Sequence, residues 1–281
     1  MATTLAQAVV LVLGLLAARI WPREARSGLL TQETWVNLLN GGVLFAGRQA
    51  VLLALVYAGI QPLEGRLLDL TALPTVVQFL IAFLTLDFAR YWLHYADHRV
   101  PFLWSFHRVH HSAEQLDATT GFRMHVFDFV QLAAIPLLLF GVLFRVSEGW
   151  PLPAALIVGI VADSIEHSNV RFTPDTPFKR LWFQVFNTPL FHSWHHTRDG
   201  QIYDGNYANA LPLWDRLFGT DVTRAVPPEL YGVEDKQSLD NSWIGLQLLR
   251  PGPRQLRWRG AESASPSPAA PAAPADRESA G

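Results

Sequence analysis

An all-α fold of polytopic transmembrane helices is what this sequence predicts, and two observations carry the prediction. Half of the 281 residues are hydrophobic and only 16% are charged, against about 25% charge in ordinary soluble domains; the mean hydropathy is correspondingly positive. The apolar residues are also gathered into five runs, at 5–20, 43–60, 74–93, 126–146 and 151–162.

A spanning helix needs about 20 predominantly apolar residues, with a lower limit near 17. The second, third and fourth runs meet that length. The first is marginal. Arg19, Arg23 and Arg26 follow it rather than precede it, which is the wrong order for a secretory signal, so it reads as a retained anchor. The fifth contains Pro153 and forms either a short span or the return half of a hairpin with the fourth. Flanking Lys and Arg set one path. The loop after the first run is cytoplasmic, and 61–73 lies outside. Residues 94–125, with Arg99, Arg108 and Arg123, are cytoplasmic, as is everything after about Asp163, with Arg171, Lys179, Arg180 and Arg198. Arg48 sits near the cytoplasmic end of the second run, where it can snorkel.

Beyond the fifth run, Phe178, Leu181, Trp182, Val185 and Phe186 recur at helical spacing opposite Lys179, Arg180, Gln184 and Asn187. This predicts an amphipathic helix over 178–190, lying in the membrane interface. Arg250, Arg254, Arg257 and Arg259 surround Trp258 and either touch anionic headgroups or are simply solvated. Residues 260–281 are Ala, Pro and Ser with scattered charge, a composition that cannot offset its ordering entropy and predicts a disordered tail. The chain thus divides into N-terminal transmembrane helices (1–73), a membrane-embedded histidine-rich region (74–222), a cytoplasmic extension (223–259) and the tail (260–281).

There is no cysteine, which excludes disulfides, iron–sulfur clusters and thiolate-held zinc or haem. A net charge of −2 gives no sign of nucleic-acid binding. Any metal must be held by nitrogen and oxygen.

All ten histidines fall between His94 and His196; independent placement would do this roughly once in 20,000. His94 and His98 form HxxxH, which puts both rings on one helix face. His107, His110 and His111 form HxxHH, and so do His192, His195 and His196. In each of these, i and i+3 or i+4 point one way while the adjacent pair splays, so one motif can feed two neighbouring metals. Eight buried imidazoles without a metal would leave many donors and acceptors to satisfy. A single zinc takes four ligands, so two metals are implied. Imidazole suits zinc, copper, iron and nickel. A histidine-dominated pair suits redox chemistry with O2 better than hydrolysis, and neither HExxH nor GxSxG is present.

The residues His94–His98, Trp104 to His111, Glu166 to Val170, Thr188 to His196 and Asn206 to Thr220 resemble the fatty acid hydroxylase / sterol desaturase superfamily. The resemblance covers about 74–222. It implies transmembrane helices under a cytoplasmic cap that binds two Fe ions, with zinc possible as purified. It also implies O2-dependent hydroxylation, desaturation or related oxidation of a membrane lipid or sterol-like substrate. On that pattern His94, His98, His107, His110, His111, His192, His195 and His196 are metal ligands, and His167 is a ninth. His125 falls where many members carry a histidine before proline, but Val126 replaces the proline; it is either a ligand or a neighbour of one. Asp87, Asp97, Asp128, Asp163 and Glu166 are candidates to orient ligands; the last two, close to His167, either orient it or are themselves metal ligands. Asn206, Trp214 and Asp215 are read as anchors of the cap. Phe102, Trp104 and Phe106 either line a substrate entrance or simply pack at the interface.

These 281 residues contain no GxGxxG and no cytochrome or ferredoxin signature, so electrons are expected from a separate reductase system. Basic residues are nearly all arginine, a composition associated with GC-rich bacterial genomes, which suggests a bacterial cytoplasmic membrane with the histidine cluster facing the cytoplasm. A transport-related or non-catalytic metal-binding membrane protein is the alternative from another class. An aldehyde-processing, lyase-type branch of the same family is the alternative within it.

Overall fold

The computed structural model describes residues 2–24, 30–57, 67–198, 204–222, 224, 226–233 and 243–247. The expected disordered tail, the four arginines around Trp258, Arg26 and residues 61–66 of the outer loop lie outside the described residues.

The described chain is helical. Its long elements are α1 (Ala2–Ile20), α2 (Gln32–Tyr57), α3 (Thr75–Arg99), α5 (Val126–Leu138) and α6 (Pro151–His167). The shorter ones are α4 (Pro101–His111), α7 (Pro177–Val185), α8 (Pro189–His195), α9 (Leu213–Phe218) and α10 (Trp243–Gln247). Proline opens α4, α6, α7 and α8, where its missing N–H costs nothing and its fixed φ already suits the helix. The Thr176 and Thr188 hydroxyls cap α7 and α8 by accepting from the Lys179 and Phe191 amides, each at 3.2 Å. Inside α5, Pro136 removes one helical hydrogen bond, and the helix continues as a widened turn over Leu139–Leu143. A two-residue parallel pair, β1 (Leu68–Asp69) with β2 (Phe144–Arg145), ties the start of α3 to the end of that turn.

The apolar core lies between α3, α5 and α6, where Ala82, Leu86, Phe140 and Ala155 are buried; α1 packs on α6. The outer faces are apolar too. Two helices are long and apolar enough to cross a membrane: α3, and α5 with its widened turn. Only 28% and 11% of their most apolar stretches are buried inside the protein, whereas a core helix of a soluble protein would be mostly buried. Val76, Leu80, Val130, Leu137 and Leu138 face outward, an apolar surface that water does not favour.

Two expectations change in detail, and a third element is longer than its apolar run. Residues 58–60 of the second run lie outside the described residues, and its helix, α2, begins well before that run. It starts at Gln32, and its first half is polar: Thr34 donates to Asp117, Asn37 to Thr119, and Asn40 to the Phe122 and Met124 carbonyls. That half clamps the 112–124 loop. The fifth run is a helix that continues to His167. The amphipathic segment 178–190 is two helices, α7 and α8, separated at 186–188. No residue of α7 is buried, and Phe178, Leu181 and Val185 are exposed.

Candidate metal centre

Helix α3 runs past its apolar stretch and carries His94 and His98 beyond it, to meet α4, the end of α6, and α8. Nine histidines converge there in two groups. His94, His98, His107, His111 and His195 form the first, and His110, His167, His192 and His196 the second; within each, the ligand atoms lie within 4.8 Å of one another. Both HxxHH motifs split. His107 and His111, one turn apart on α4, join the first group while His110 joins the second. On α8 and the residue that caps its end the arrangement is reversed: His192 and His196 join the second group and His195 the first.

Backbone carbonyls fix how the rings present their nitrogens. Nδ1 of His94 lies 2.8 Å from the Tyr207 carbonyl, Nδ1 of His195 lies 2.8 Å from Gly205, Nδ1 of His110 lies 3.2 Å from Arg123, and Nδ1 of His167 lies 2.7 Å from Asp163. A carbonyl can only accept, so each Nδ1 carries the proton and each neutral ring turns its Nε2 lone pair inward. Nε2 of His110 and of His167 are 3.1 Å apart. Two facing lone pairs make no hydrogen bond, whereas a shared cation would satisfy both. His192 Nε2 is likewise 3.1 Å from the Nε2 of His167 and of His196. Ligands of one ion with bonds of about 2.1 Å sit about 3.0 Å apart at a right angle and about 3.4 Å apart at the tetrahedral angle. In the first group, the Nε2 atoms of His94, His107 and His195 are buried and make no hydrogen bond among the described residues. On these observations the donor set fits a pair of metal ions.

Burial, reinforced by neighbouring imidazoles, holds His110, His111, His192 and His196 well below the usual histidine range. Burial takes His195 down to about 3. These rings are therefore neutral at pH 7 and available as ligands. His107 goes the other way. Burial opposes its charge, but the Asp128 and Asp97 carboxylates outweigh burial and raise it.

Carboxylates stand behind both groups. Asp128 is 3.7 Å from His107 Nδ1. Glu166 is 3.7 Å from His192 Nδ1 and 3.9 Å from His167 Nδ1, and Asp163 is 4.0 Å from His167 Nδ1. Asp97 meets Asp128 through Gln131, which donates to both. Asp87 touches no histidine. It accepts from the Ala210 and Leu211 amides and from Trp214 Nε1, which makes it an anchor of the cap. Asp204, 3.7 Å from His98 Nδ1, escaped the sequence reading because no histidine is near it in the chain.

His125 stands outside both groups. Its Nδ1 accepts from the Phe127 amide and caps α5, while its Nε2 lies 3.2 Å from the Gln247 carbonyl. Both ring nitrogens are engaged in holding α5 and α10. The aromatic run also separates. Trp104 lies against His98 and His111, whereas Phe106 stacks on Phe127, with Phe102 at its edge.

The 205–220 segment closes the cap. Asn206 adopts φ 59° and bonds the Phe191 and Val222 carbonyls and the Val222 amide. Asp215 is fully buried and receives the Tyr207 and Ala208 amides and the Thr220 hydroxyl. Asn187 donates to Glu166 and to the Ala208 carbonyl. Gly219, at φ 73°, ends α9 in the left-handed region that glycine enters freely.

Beside the histidines lies a small pocket of about 60 Å³. It adjoins a cavity of about 280 Å³ lined by α1, α2, α3, α5 and α6. The two share Arg90, Gly121, Met124, Leu132 and Asp163. Neither Phe102, Trp104 nor Phe106 lines the cavity.

A helical protein with exposed apolar faces and two adjoining histidine clusters is the class that these features define. The chain belongs to the fatty acid hydroxylase family, whose model matches residues 79–220, the span that includes all ten histidines. Over 148 residues it is 33% identical to alkylglycerol monooxygenase of Xenopus tropicalis, covering 50% of this chain and 30% of that protein. It is 32% identical over 153 residues to the ornithine lipid hydroxylase OlsE of Rhizobium tropici, covering 52% and 42%. A third relative is the very-long-chain aldehyde decarbonylase GL1-4 of Oryza sativa subsp. indica, 31% identical over 196 residues, covering 65% and 28%. The matched region is thus less than half the length of each of these relatives. No solved structure matches the chain.

Proposed function

We propose that this chain is a multi-pass membrane oxygenase that uses two iron ions and O2 to hydroxylate or desaturate a lipid-like substrate. The observation that carries the reading is the set of imidazole lone pairs aimed inward by backbone carbonyls, in a chain of this family. In this reading His94, His98, His107, His111 and His195 hold one ion, and His110, His167, His192 and His196 the other. Zinc can take the same positions on purification, since imidazole accepts both. Bound iron would supply the redox capacity to activate O2 towards a C–H bond. The protein's part is to hold neutral ligands, orient them through carbonyls and carboxylates, and leave beside them a pocket of about 60 Å³, roughly two water volumes.

The substrate reaches that pocket from the bilayer through the larger cavity. The relatives named for alkylglycerol and ornithine lipid make single-chain ethers and amphiphilic lipids the first compounds to try. The clusters lie at helix ends, facing the cytoplasm in the path set by the flanking arginines; transport sites lie nearer the bilayer midplane. Electrons come from a separate donor. The test is O2 uptake by iron-loaded protein in lipid nanodiscs, with a reductant and a panel of alkylglycerols, acyl lipids and sterols. Uptake that rises with one lipid class is the expected result, and none with any class refutes the reading. The match to an aldehyde decarbonylase over 65% of this chain supports a second reading, aldehyde processing, which long-chain aldehydes in the same panel would reveal.

A further inference from the structure

The larger cavity is apolar almost throughout. Of its lining residues only Gln7, Arg90 and Asp163 have polar side chains. Both charged ones are among the five residues that it shares with the pocket beside the histidines. They stand at the junction and nowhere else. Arg90 belongs to α3, one of the two helices apolar enough to cross a membrane, where a charge is costly and marks a functional position by default.

The Arg90–Asp163 contact is loose for a pair whose only role is to neutralise each other. Nη2 lies 3.4 Å from Asp163 Oδ1, and Nη1 lies 3.5 Å from the Gly159 carbonyl, the outer limit for hydrogen bonds. About a quarter of each side chain remains exposed. Guanidinium donors and carboxylate lone pairs are therefore still available at the junction. Gly121 makes room for them, because a Cβ there would run into the Asp163 carboxylate.

We propose that Arg90 and Asp163 dock the uncharged polar end of a single-chain lipid whose tail fills the apolar cavity, so that oxidation falls on carbons near the polar end. This rests on the oxygenase reading above and names the orientation of its substrate. The pair offers donors and acceptors but no net charge. An anionic head would meet Asp163 and a cationic head Arg90, whereas hydroxyl, ether or ester oxygens can use both. Entry with the tail foremost would draw methyl carbons past the charged pair and return no hydrogen bond to it. The cavity of about 280 Å³ equals roughly nine water-sized volumes, room for a tail of about ten carbons.

Binding tests this without turnover. Full-length protein loaded with redox-inert zinc is placed in nanodiscs with radiolabelled monododecanoylglycerol. Competitors are monododecanoylglycerol, dodecanoate, dodecyltrimethylammonium and dodecane. The wild type prefers the uncharged glyceride by about tenfold, the scale of one hydrogen bond to a charged group. Arg90→Leu removes the preference and Arg90→Lys keeps most of it. Ala133→Phe, in the cavity wall away from the pair, weakens the dodecanoyl glyceride but spares the hexanoyl one. An unchanged preference in Arg90→Leu, or chain-length indifference in Ala133→Phe, overturns the proposal. Zinc protein cannot oxidise anything, so the preference stands or falls independently of O2 uptake; an intact preference without turnover by iron-loaded protein counts against the oxygenase reading alone.

Discussion

Asp215→Ala should empty one metal position and spare the other. The Asp215 carboxylate is 0% exposed and takes the Tyr207 amide at 2.8 Å, the Ala208 amide at 2.9 Å and the Thr220 hydroxyl at 2.7 Å. Burial pushes it up to about 6 against the pull of these donors, so it is still a carboxylate at pH 7. Alanine leaves the two amides buried without a partner, each costing about 1–3 kcal/mol. Thr220 can still use Tyr91, at 2.9 Å. The loss of about 2–6 kcal/mol corresponds to an apparent Tm drop of roughly 10 °C for a chain of this size. The same backbone supplies the Tyr207 and Gly205 carbonyls that orient His94 and His195, both in the first group. The second group takes its carbonyls from Arg123 and Asp163, which Asp215 does not touch. Loss of orienting partners typically weakens metal binding about 10–100-fold. After dialysis against a weak chelator the variant should keep about half of the wild-type metal, read by mass spectrometry beside the thermal melt. Loss of both metals together, or full retention with a normal Tm, would refute the account of the cap.

Glu166→Gln is the mirror case: it replaces one carboxyl oxygen by an amide nitrogen in a group 3.7 Å from His192 and 3.9 Å from His167, so the second position should weaken about 10–100-fold while the first persists, and competition with a chelator series reads the difference. Gly121→Ala places a methyl against the Asp163 carboxylate and should cut lipid-dependent O2 uptake while metal content holds; unaltered uptake would show that the junction is not on the substrate's route. Metal-free protein should be acid-sensitive. Histidines titrate near 6.5 when unfolded, but burial holds His195 at about 3 and four others well below their usual range. The unfolded chain therefore binds more protons between these values. Stability is fully present above about pH 6.5 and falls as pH drops towards 3, by about 1.4 kcal/mol per unit for each such ring. His107, which is raised, contributes in the opposite sense, with its share lost as pH rises. Urea midpoints at pH 7 and 5 check the sum, and equal midpoints contradict it.

The parts of this fold that depend on local spacing were readable in advance. HxxxH and HxxHH on helices determine which rings share a face, so the splitting of His110 from His111 and of His195 from His196 followed from one-residue rotation along α4 and α8. What pairs with what across the chain was not readable. That Gly205 and Tyr207 turn carbonyls to His195 and His94 is a backbone event with no side-chain signature. Asp204 reaches His98, and Asp87 serves the cap instead of a ligand, because the loop crossing that brings them there is invisible in composition. His125 was ambiguous since an imidazole nitrogen at a helix start can accept from a backbone amide, as it does here, or ligate a metal. The polar half of α2 was missed because the eye stops at the apolar run, while Thr34, Asn37 and Asn40 already show a helix face looking for hydrogen bonds.

The most direct test of the two-ion account is an iron count on wild type, His195→Ala and His196→Ala purified from iron-supplemented cells. These residues are neighbours in the chain but belong to different groups. The account predicts about two irons per wild-type chain and about one in each variant, each keeping a different position, since removing one of four or five ligands disables only its own ion. One iron in the wild type, or both irons lost with either single substitution, would contradict it.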